Sequence, residues 1–274
     1  MLSRRHFVAG SAALGVGAAI GRPALAGTKP KVVIVGGGPG GGSVMRALAA
    51  AAPGKIDITL IEAQQAYTAC FQSNLYVGGF RPLDAFTFSF EALRRLEGVT
   101  VINDTAARIS PETRTVQLLS GSEVPYDLLV TAPGIDLDYT SVPGWSKDAE
   151  ERMPHAYKGG AQLRLLKEQL NVVSDRGLIV IIAPPNPYRC PPGPYERASM
   201  MARALKAAGK TARIVILDAK EAFSKQPLFE AGWQRHYPGM IEWLPPSIHS
   251  GIKSVNPATM TVETGFEVYA NAAL

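Results

Sequence analysis

The chain of 274 residues is 46% hydrophobic and 19% charged, with 27 Gly, 21 Pro and two Cys, which excludes disorder, a collagen-like repeat and a disulfide scaffold. At about 100–200 residues per domain, the length accommodates one large domain or two modest ones. The formal charge of +5 points towards nucleic acid until the N-terminus is considered.

Residues 1–26 read as an export signal. Arg4 and Arg5 give a charged start, Phe7 to Ile20 an apolar stretch, and Ala24-Leu25-Ala26 a small-x-small cleavage site. The apolar stretch is short and weakly hydrophobic for a membrane anchor, so the reading predicts no span in the mature chain. The run Ser3-Arg4-Arg5-His6-Phe7-Val8 resembles the twin-arginine signal family, which implies a periplasmic protein exported already folded. Cleavage after Ala26 removes Arg4, Arg5 and Arg22 from the 28 basic residues and none of the 23 acids, leaving a net charge of +2. Nothing then favours nucleic acid. Among the mature histidines, His155, His236 and His249 are too scattered for local ligand spacing, and no metal site is expected.

The mature chain opens on an apolar strand, Lys31-Val-Val-Ile-Val35, followed at once by Gly36-Gly37-Gly38-Pro39-Gly40-Gly41. A helix over 43–52 and a strand over 56–61 ending on Glu62 complete a strand, Gly-x-Gly-x-x-Gly turn, helix, strand, acid pattern. Gly36 permits the tight turn, Gly38 and its neighbour Gly40 let backbone approach a pyrophosphate, and Gly41 allows close helix–strand packing. The helix N-terminus offers unpaired N–H groups to the phosphates, and Glu62 accepts from a ribose hydroxyl.

A helical segment over 88–96 follows, then short strands from Val99 to Thr131 with turns at Pro111–Arg114 and Ser120–Ser122. The last strand, Tyr126 to Thr131, runs into Ala132-Pro133-Gly134. This inserted meander and closing turn resemble the two-dinucleotide-binding flavoproteins of the glutathione reductase type, in which the second glycine-bearing turn, here Ala132 and Gly134, lies beside the flavin. An internal repeat supports two units: Leu178 to Ile182 repeats the first strand, and Pro257-Ala-Thr-Met-Thr-Val262 echoes Pro111-Glu-Thr-Arg-Thr-Val116. The second copy has a helix over 195–207 and a strand, Arg213 to Leu217, ending on Asp218. The fold class expected is α/β with two Rossmann-like nucleotide-binding units, a cofactor domain over 29–155 and a second domain over 156–274, linked near Trp145 to Lys158.

The second copy replaces the glycine turn with Ala183-Pro-Pro-Asn-Pro-Tyr-Arg-Cys190-Pro-Pro-Gly-Pro194. Proline offers no N–H to a pyrophosphate, so this unit is not expected to bind NAD. Read from composition alone, Cys70 is equally a small buried hydrophobe, and Cys70 and Cys190 are equally a structural disulfide pair.

Three segments sharpen the reading: Tyr67-Thr-Ala-Cys70-Phe-Gln-Ser-Asn74, Tyr188-Arg-Cys190-Pro-Pro-Gly-Pro-Tyr-Glu-Arg197 and Phe223-Ser-Lys-Gln226. Together they resemble the flavoprotein subunit of flavocytochrome c sulfide dehydrogenase. The resemblance implies FAD bound covalently through Cys70, Cys190 as one member of a redox-active pair, sulfide as substrate and a cytochrome c subunit as partner. It also implies that the second unit and the FAD domain are incomplete at the C-terminus, since the chain stops at Tyr269 to Leu274 before an equivalent closing strand. A sulfide:quinone oxidoreductase-like enzyme, a non-catalytic FAD-binding electron-relay module and a truncated remnant remain open alternatives.

Overall fold

The computed structural model describes residues 28–155, 157–270 and 272–273. The expected signal, 1–26, lies outside the described residues. In chain order the strands are β1 (Lys31–Val35), β2 (Asp57–Ile61), β3 (Ala66–Thr68), β4 (Thr87–Ser89), β5 (Val99–Ile102), β6 (Ala106–Ser110), β7 (Thr115–Leu118) and β8 (Glu123–Pro125). They continue as β9 (Leu128–Thr131), β10 (Leu178–Ala183), β11 (Arg213–Asp218), β12 (Ile241–Leu244), β13 (Ile252–Asn256), β14 (Thr261–Thr264), β15 (Val268–Tyr269) and β16 (Ala272–Ala273). The helices used below are α1 (Pro39–Ala51), α2 (Ser73–Val77), α3 (Ala161–Val172), α4 (Gly193–Ala207) and α5 (Gln226–His236). Among the described residues, no helix is long and apolar enough to cross a membrane.

The chain divides into two compact units. One takes the described residues up to 64 together with Glu91–Gly134; the other takes Gln65–Phe90 and the described residues from 135 onward. The first unit has a parallel sheet in the order β5-β2-β1-β9. Its central strand is apolar on both faces, with Val32, Val33 and Ile34 all buried, as a strand inside a parallel sheet must be. The antiparallel meander β6-β7-β8 packs Val116 and Leu118 onto Val33 and Ile61.

The second unit repeats the plan, with a parallel sheet β12-β11-β10-β16 and a meander β13-β14-β15. The two meanders match in detail. Ser110 pairs with Thr115 as Asn256 pairs with Thr261, and both turns carry one left-handed residue at the same place, Arg114 (φ 52°) and Met260 (φ 51°). The apolar stripe Leu163, Leu166 and Leu170 of α3 is core, as its helical spacing requires.

Several expectations are corrected. α1 begins at Pro39, directly on the glycine turn, because Pro is preorganised for a first helical position. The expected helix over 88–96 shrinks to Glu91–Arg94, with Phe88 paired to Tyr67 in a β3–β4 hairpin. The second unit does hold the start of its closing strand: Ala272 and Ala273 pair in parallel with Leu178 and Ile179, as β9 pairs with β1. The units also divide differently from 29–155 and 156–274. Residues 65–90 join the second unit because Val77 packs with Leu166, Tyr195 and Met201, and Phe86 with Leu163. The segment expected as a linker is packed too, with Val142, Trp145 and Met153 set against Val180 and Val255.

Candidate functional site

In the first unit, the glycine turn, Glu62 and the Ala132–Gly134 turn sit at the C-terminal ends of the adjacent parallel strands β1, β2 and β9, the end of an open α/β sheet where ligands dock. Gly36 has φ 95°, and a Cβ on it would fall 2.1 Å from the Ala132 carbonyl oxygen. At Gly41 a Cβ would fall 1.9 Å from the Gly36 carbonyl oxygen, so α1 reaches β1 only because residue 41 has no side chain. Gly38 is the N-cap of α1, which has no side-chain cap and no acid in its first turn. A Cβ at Gly40 would meet the Ala132 methyl at 3.5 Å, an ordinary contact. Gly134 turns the chain away from β9 at φ 85° with open space around it.

Glu62 closes this group from β2. Its Oε2 accepts the Gly37 N–H at 2.6 Å and its Oε1 accepts the Gln64 N–H at 2.8 Å, leaving each oxygen further capacity to accept a hydroxyl. A backbone cradle that side chains would fill, an uncapped helix N-terminus and an acid beside it fit a dinucleotide. Gly36, Gly38, Gly40, Gly41, Glu62, Ala132 and Gly134 are thus brought together in one unit. Cys70 is grouped with Cys190 in the other.

There, Cys70 opens the 3₁₀ turn Cys70–Gln72, and the Ser73 N–H bonds back to its carbonyl. Two polar contacts fasten the following helix α2 to α4: Arg197 Nη2 donates to Ser73 Oγ at 2.7 Å, and Asn74 Nδ2 to Glu196 Oε2 at 3.1 Å. Cys190 is exposed on the loop from β10 to α4, in a left-handed conformation at φ 59°. Its carbonyl accepts the Gly193 N–H at 2.8 Å. Tyr188 shapes the same loop, donating its hydroxyl to the Pro191 carbonyl at 2.5 Å. Both cysteines are free thiols, so the structural-disulfide reading is set aside.

The surroundings of both sulfurs are set by a buried cation and two tyrosines. Burial lowers the Arg197 pKa to about 10, against the opposing pull of Cys190, Glu196, Cys70 and Tyr157, so the guanidinium is charged at neutral pH. Burial pushes the Tyr157 hydroxyl up to about 12, with Tyr188 and Cys190 adding to the rise and Arg197 opposing it. The Tyr67 hydroxyl is raised by burial and by Cys70, with Arg189 opposing.

The acid ending β11 differs from Glu62. Asp218 is fully buried and accepts from the Tyr195 hydroxyl at 2.5 Å, Trp243 Nε1 at 2.8 Å, Lys220 Nζ at 2.5 Å and the Lys220 N–H at 3.0 Å. Four donors use the four acceptor positions of a carboxylate. Lys220 also donates to the Pro184 carbonyl at 2.7 Å and sits 4.6 Å from the Tyr188 ring centre. Sequence reasoning located Asp218 but missed Lys220, Tyr195 and Trp243 as its partners, and missed Ser73 and Tyr157 beside the cysteines. Tyr188 and Tyr195, inside the Cys190 segment, and Ser73, inside the Cys70 segment, carried a signal.

Comparison with known proteins agrees with this architecture. Residues 30–174 match the pyridine nucleotide-disulphide oxidoreductase family, and residues 163–274 match the central part of the sulfide dehydrogenase [flavocytochrome c] flavoprotein chain. A mitochondrial sulfide:quinone oxidoreductase of Dictyostelium discoideum is 32% identical over 115 residues, 42% of this chain and 25% of that protein. The structure of the sulfide:quinone oxidoreductase from Aquifex aeolicus superposes with a TM-score of 0.70 at 21% identity, covering 89% of this chain and 57% of that one. An NAD-dependent persulfide reductase from A. fulgidus gives 0.69 at 16%, covering 89% and 44%. The chain therefore spans a quarter to little more than half of the length of these proteins. By the match over 30–174, it belongs to the pyridine nucleotide-disulphide oxidoreductase family and is related to the flavoprotein chain of sulfide dehydrogenase.

Proposed function

We propose that the protein is a periplasmic FAD-dependent oxidoreductase that oxidises sulfide and delivers the electrons to a cytochrome c subunit. The observation that carries this reading is the second unit's missing dinucleotide site. A proline-rich loop replaces the glycine turn, Asp218 is saturated from inside, and an exposed thiol, Cys190, occupies that loop. An electron donor other than a nicotinamide is then required, and a thiol is the reactive group on offer.

Gly36, Gly38, Gly40, Gly41, Glu62, Ala132 and Gly134 would hold FAD, and Cys70 would carry it covalently through its sulfur. When bound, FAD supplies a two-electron acceptor that can return electrons singly. Cys190 would act in a disulfide with a second thiol. Hydrosulfide attacks Cys190 Sγ, the S–S bond breaks, a persulfide forms on Cys190, and the other sulfur leaves as a thiolate with the electron pair. The Arg197 charge favours thiolate chemistry at this place. The sequence holds no third cysteine, so the second thiol has to come from outside it.

A quinone acceptor is the second reading, favoured by the D. discoideum relative. Acid precipitation tests the cofactor assignment: flavin should stay with the denatured wild-type chain and be released from Cys70→Ser. Sulfide titration of the flavin absorbance tests the substrate. This chain alone should bleach little, and rapid bleaching that survives Cys190→Ala would remove Cys190 from the mechanism. Reduction of quinone in preference to cytochrome c would replace the acceptor.

A further inference from the structure

We infer that Arg197 is a positioning residue shared by both cysteines: it holds the Cys70 turn through Ser73 and sets a buried positive charge at the foot of the Cys190 loop. The inference rests on the cysteine roles proposed above. Arg197 lies one residue beyond Glu196 in the first turns of α4, whose leading residue Gly193 donates to the Cys190 carbonyl at 2.8 Å. From there its Nη2 reaches Ser73 Oγ at 2.7 Å, and Ser73 is bonded through its N–H to the Cys70 carbonyl. The helix α4 therefore meets both turns within its first two turns, the Cys190 turn through the Gly193 N–H and the Cys70 turn through the Arg197 side chain four residues on. The lowered yet still cationic state of the guanidinium, with both cysteines among the groups opposing its burial, agrees with a charge facing two sulfurs.

A purely structural arginine explains less. The 65–90 arm is already fastened at the far end of α2, where Lys167 Nζ donates to the Val77 carbonyl at 2.9 Å, and Arg203 bonds the Gly78 carbonyl while stacking 3.9 Å from the Phe80 ring centre. Asn74 adds its own bond to Glu196. Burying a guanidinium carries a large desolvation cost, and both sulfurs stand with Glu196 and Tyr157 among the groups whose attraction opposes it.

The test compares Arg197→Gln, which keeps a donor and loses the charge, with Arg197→Lys, which keeps the charge. Both are made in the full chain as purified. Two readouts are taken: the iodoacetamide alkylation rate of Cys190, mapped by peptide mass at pH 7, and the fraction of flavin retained after acid precipitation. Because the thiolate is the reacting species, Arg197→Gln should slow Cys190 alkylation about five-fold and reduce retained flavin comparably, while Arg197→Lys keeps at least about half of each. A merely structural arginine would leave the Cys190 rate unchanged or raise it on loosening the loop, and either result in Arg197→Gln overturns the inference. Equal losses in the Lys and Gln variants overturn the role of charge. A wild-type chain without covalent flavin overturns the Cys70 assignment instead, and the Cys190 rate then decides for Arg197 alone. Should Arg197→Gln lose its native circular dichroism, Ser73→Ala takes its place. That variant should lower retained flavin and leave Cys190 alkylation unchanged, and unchanged flavin would overturn the inference.

Discussion

Tyr195 donates its hydroxyl to Asp218 across 2.5 Å, with both residues wholly inside the second unit. In the first unit the corresponding strand end offers the Glu62 carboxylate to the backbone N–H groups of Gly37 and Gln64. Asp218 is bonded by three side chains and holds Lys220 as an ion pair that is nearly dry. Replacing Asp218 with Asn should lower the stability in urea by about 3–5 kcal/mol, the usual effect of stranding one partner of a buried pair. Adding Lys220→Met to that variant should recover part of the loss, so the two changes should fall short of additivity.

The same closure predicts how the second unit treats nicotinamide nucleotides. With the Asp218 acceptors used and prolines in the turn, NADH should bind with a Kd weaker than ~1 mM. Isothermal titration of the purified chain measures this. Binding in the micromolar range would show that the loop opens.

Gly36→Ala should be the most damaging single methyl in the first unit. Its Cβ would fall 2.1 Å from a backbone oxygen that cannot move without separating β9 from β1, so a loss of more than about 2 kcal/mol and of bound flavin is expected. Gly134→Ala has the same sign of φ but meets no protein atom within 4 Å, so about 1–2 kcal/mol of backbone strain without a steric clash is expected in the protein itself. Thermal unfolding and the flavin-to-protein absorbance ratio separate the two.

His155 should give the fold a pH dependence. Its Nδ1 accepts the N–H groups of Tyr157 and Lys158 at 3.2 and 3.3 Å, and its Nε2 stands 3.6 Å from Glu150. Burial holds its pKa below the ordinary 6.5, Lys158 adds to the depression, and Glu150 opposes it. The unfolded chain therefore takes the proton first. The stabilisation is complete above pH ~6.5 and is lost as pH falls through the folded value, at no more than ~1.4 kcal/mol per pH unit. Denaturant midpoints between pH 8 and 5 should fall in the wild type and stay flatter below pH 6.5 in His155→Gln.

What could be read from the sequence follows contact distance along the chain. The turn from Gly36 to Gly41, the strands on either side and Glu62 lie within about thirty residues of one another, and local spacing sufficed to place them. The second copy was visible because Met260 and Arg114 occupy equivalent turns in equivalent sequences. The membership of residues 65–90 was not. It depends on Ser73 meeting Arg197 and Asn74 meeting Glu196, contacts that leave no periodic trace in either segment. Asp218 was placed correctly as a strand-end acid, but whether such an acid faces a ligand or its own core depends on Trp243 and Lys220, which no spacing rule connects to it.

The 65–90 arm also bears on how the chain is made. It interrupts the sequence of the first unit yet packs with residues of α3 and α4, so it emerges from the ribosome long before its partners do. A nascent chain that has just completed β9 carries Val77 without Leu166, Tyr195 and Met201, and Phe86 without Leu163, so part of that apolar surface stays uncovered until those residues have been translated.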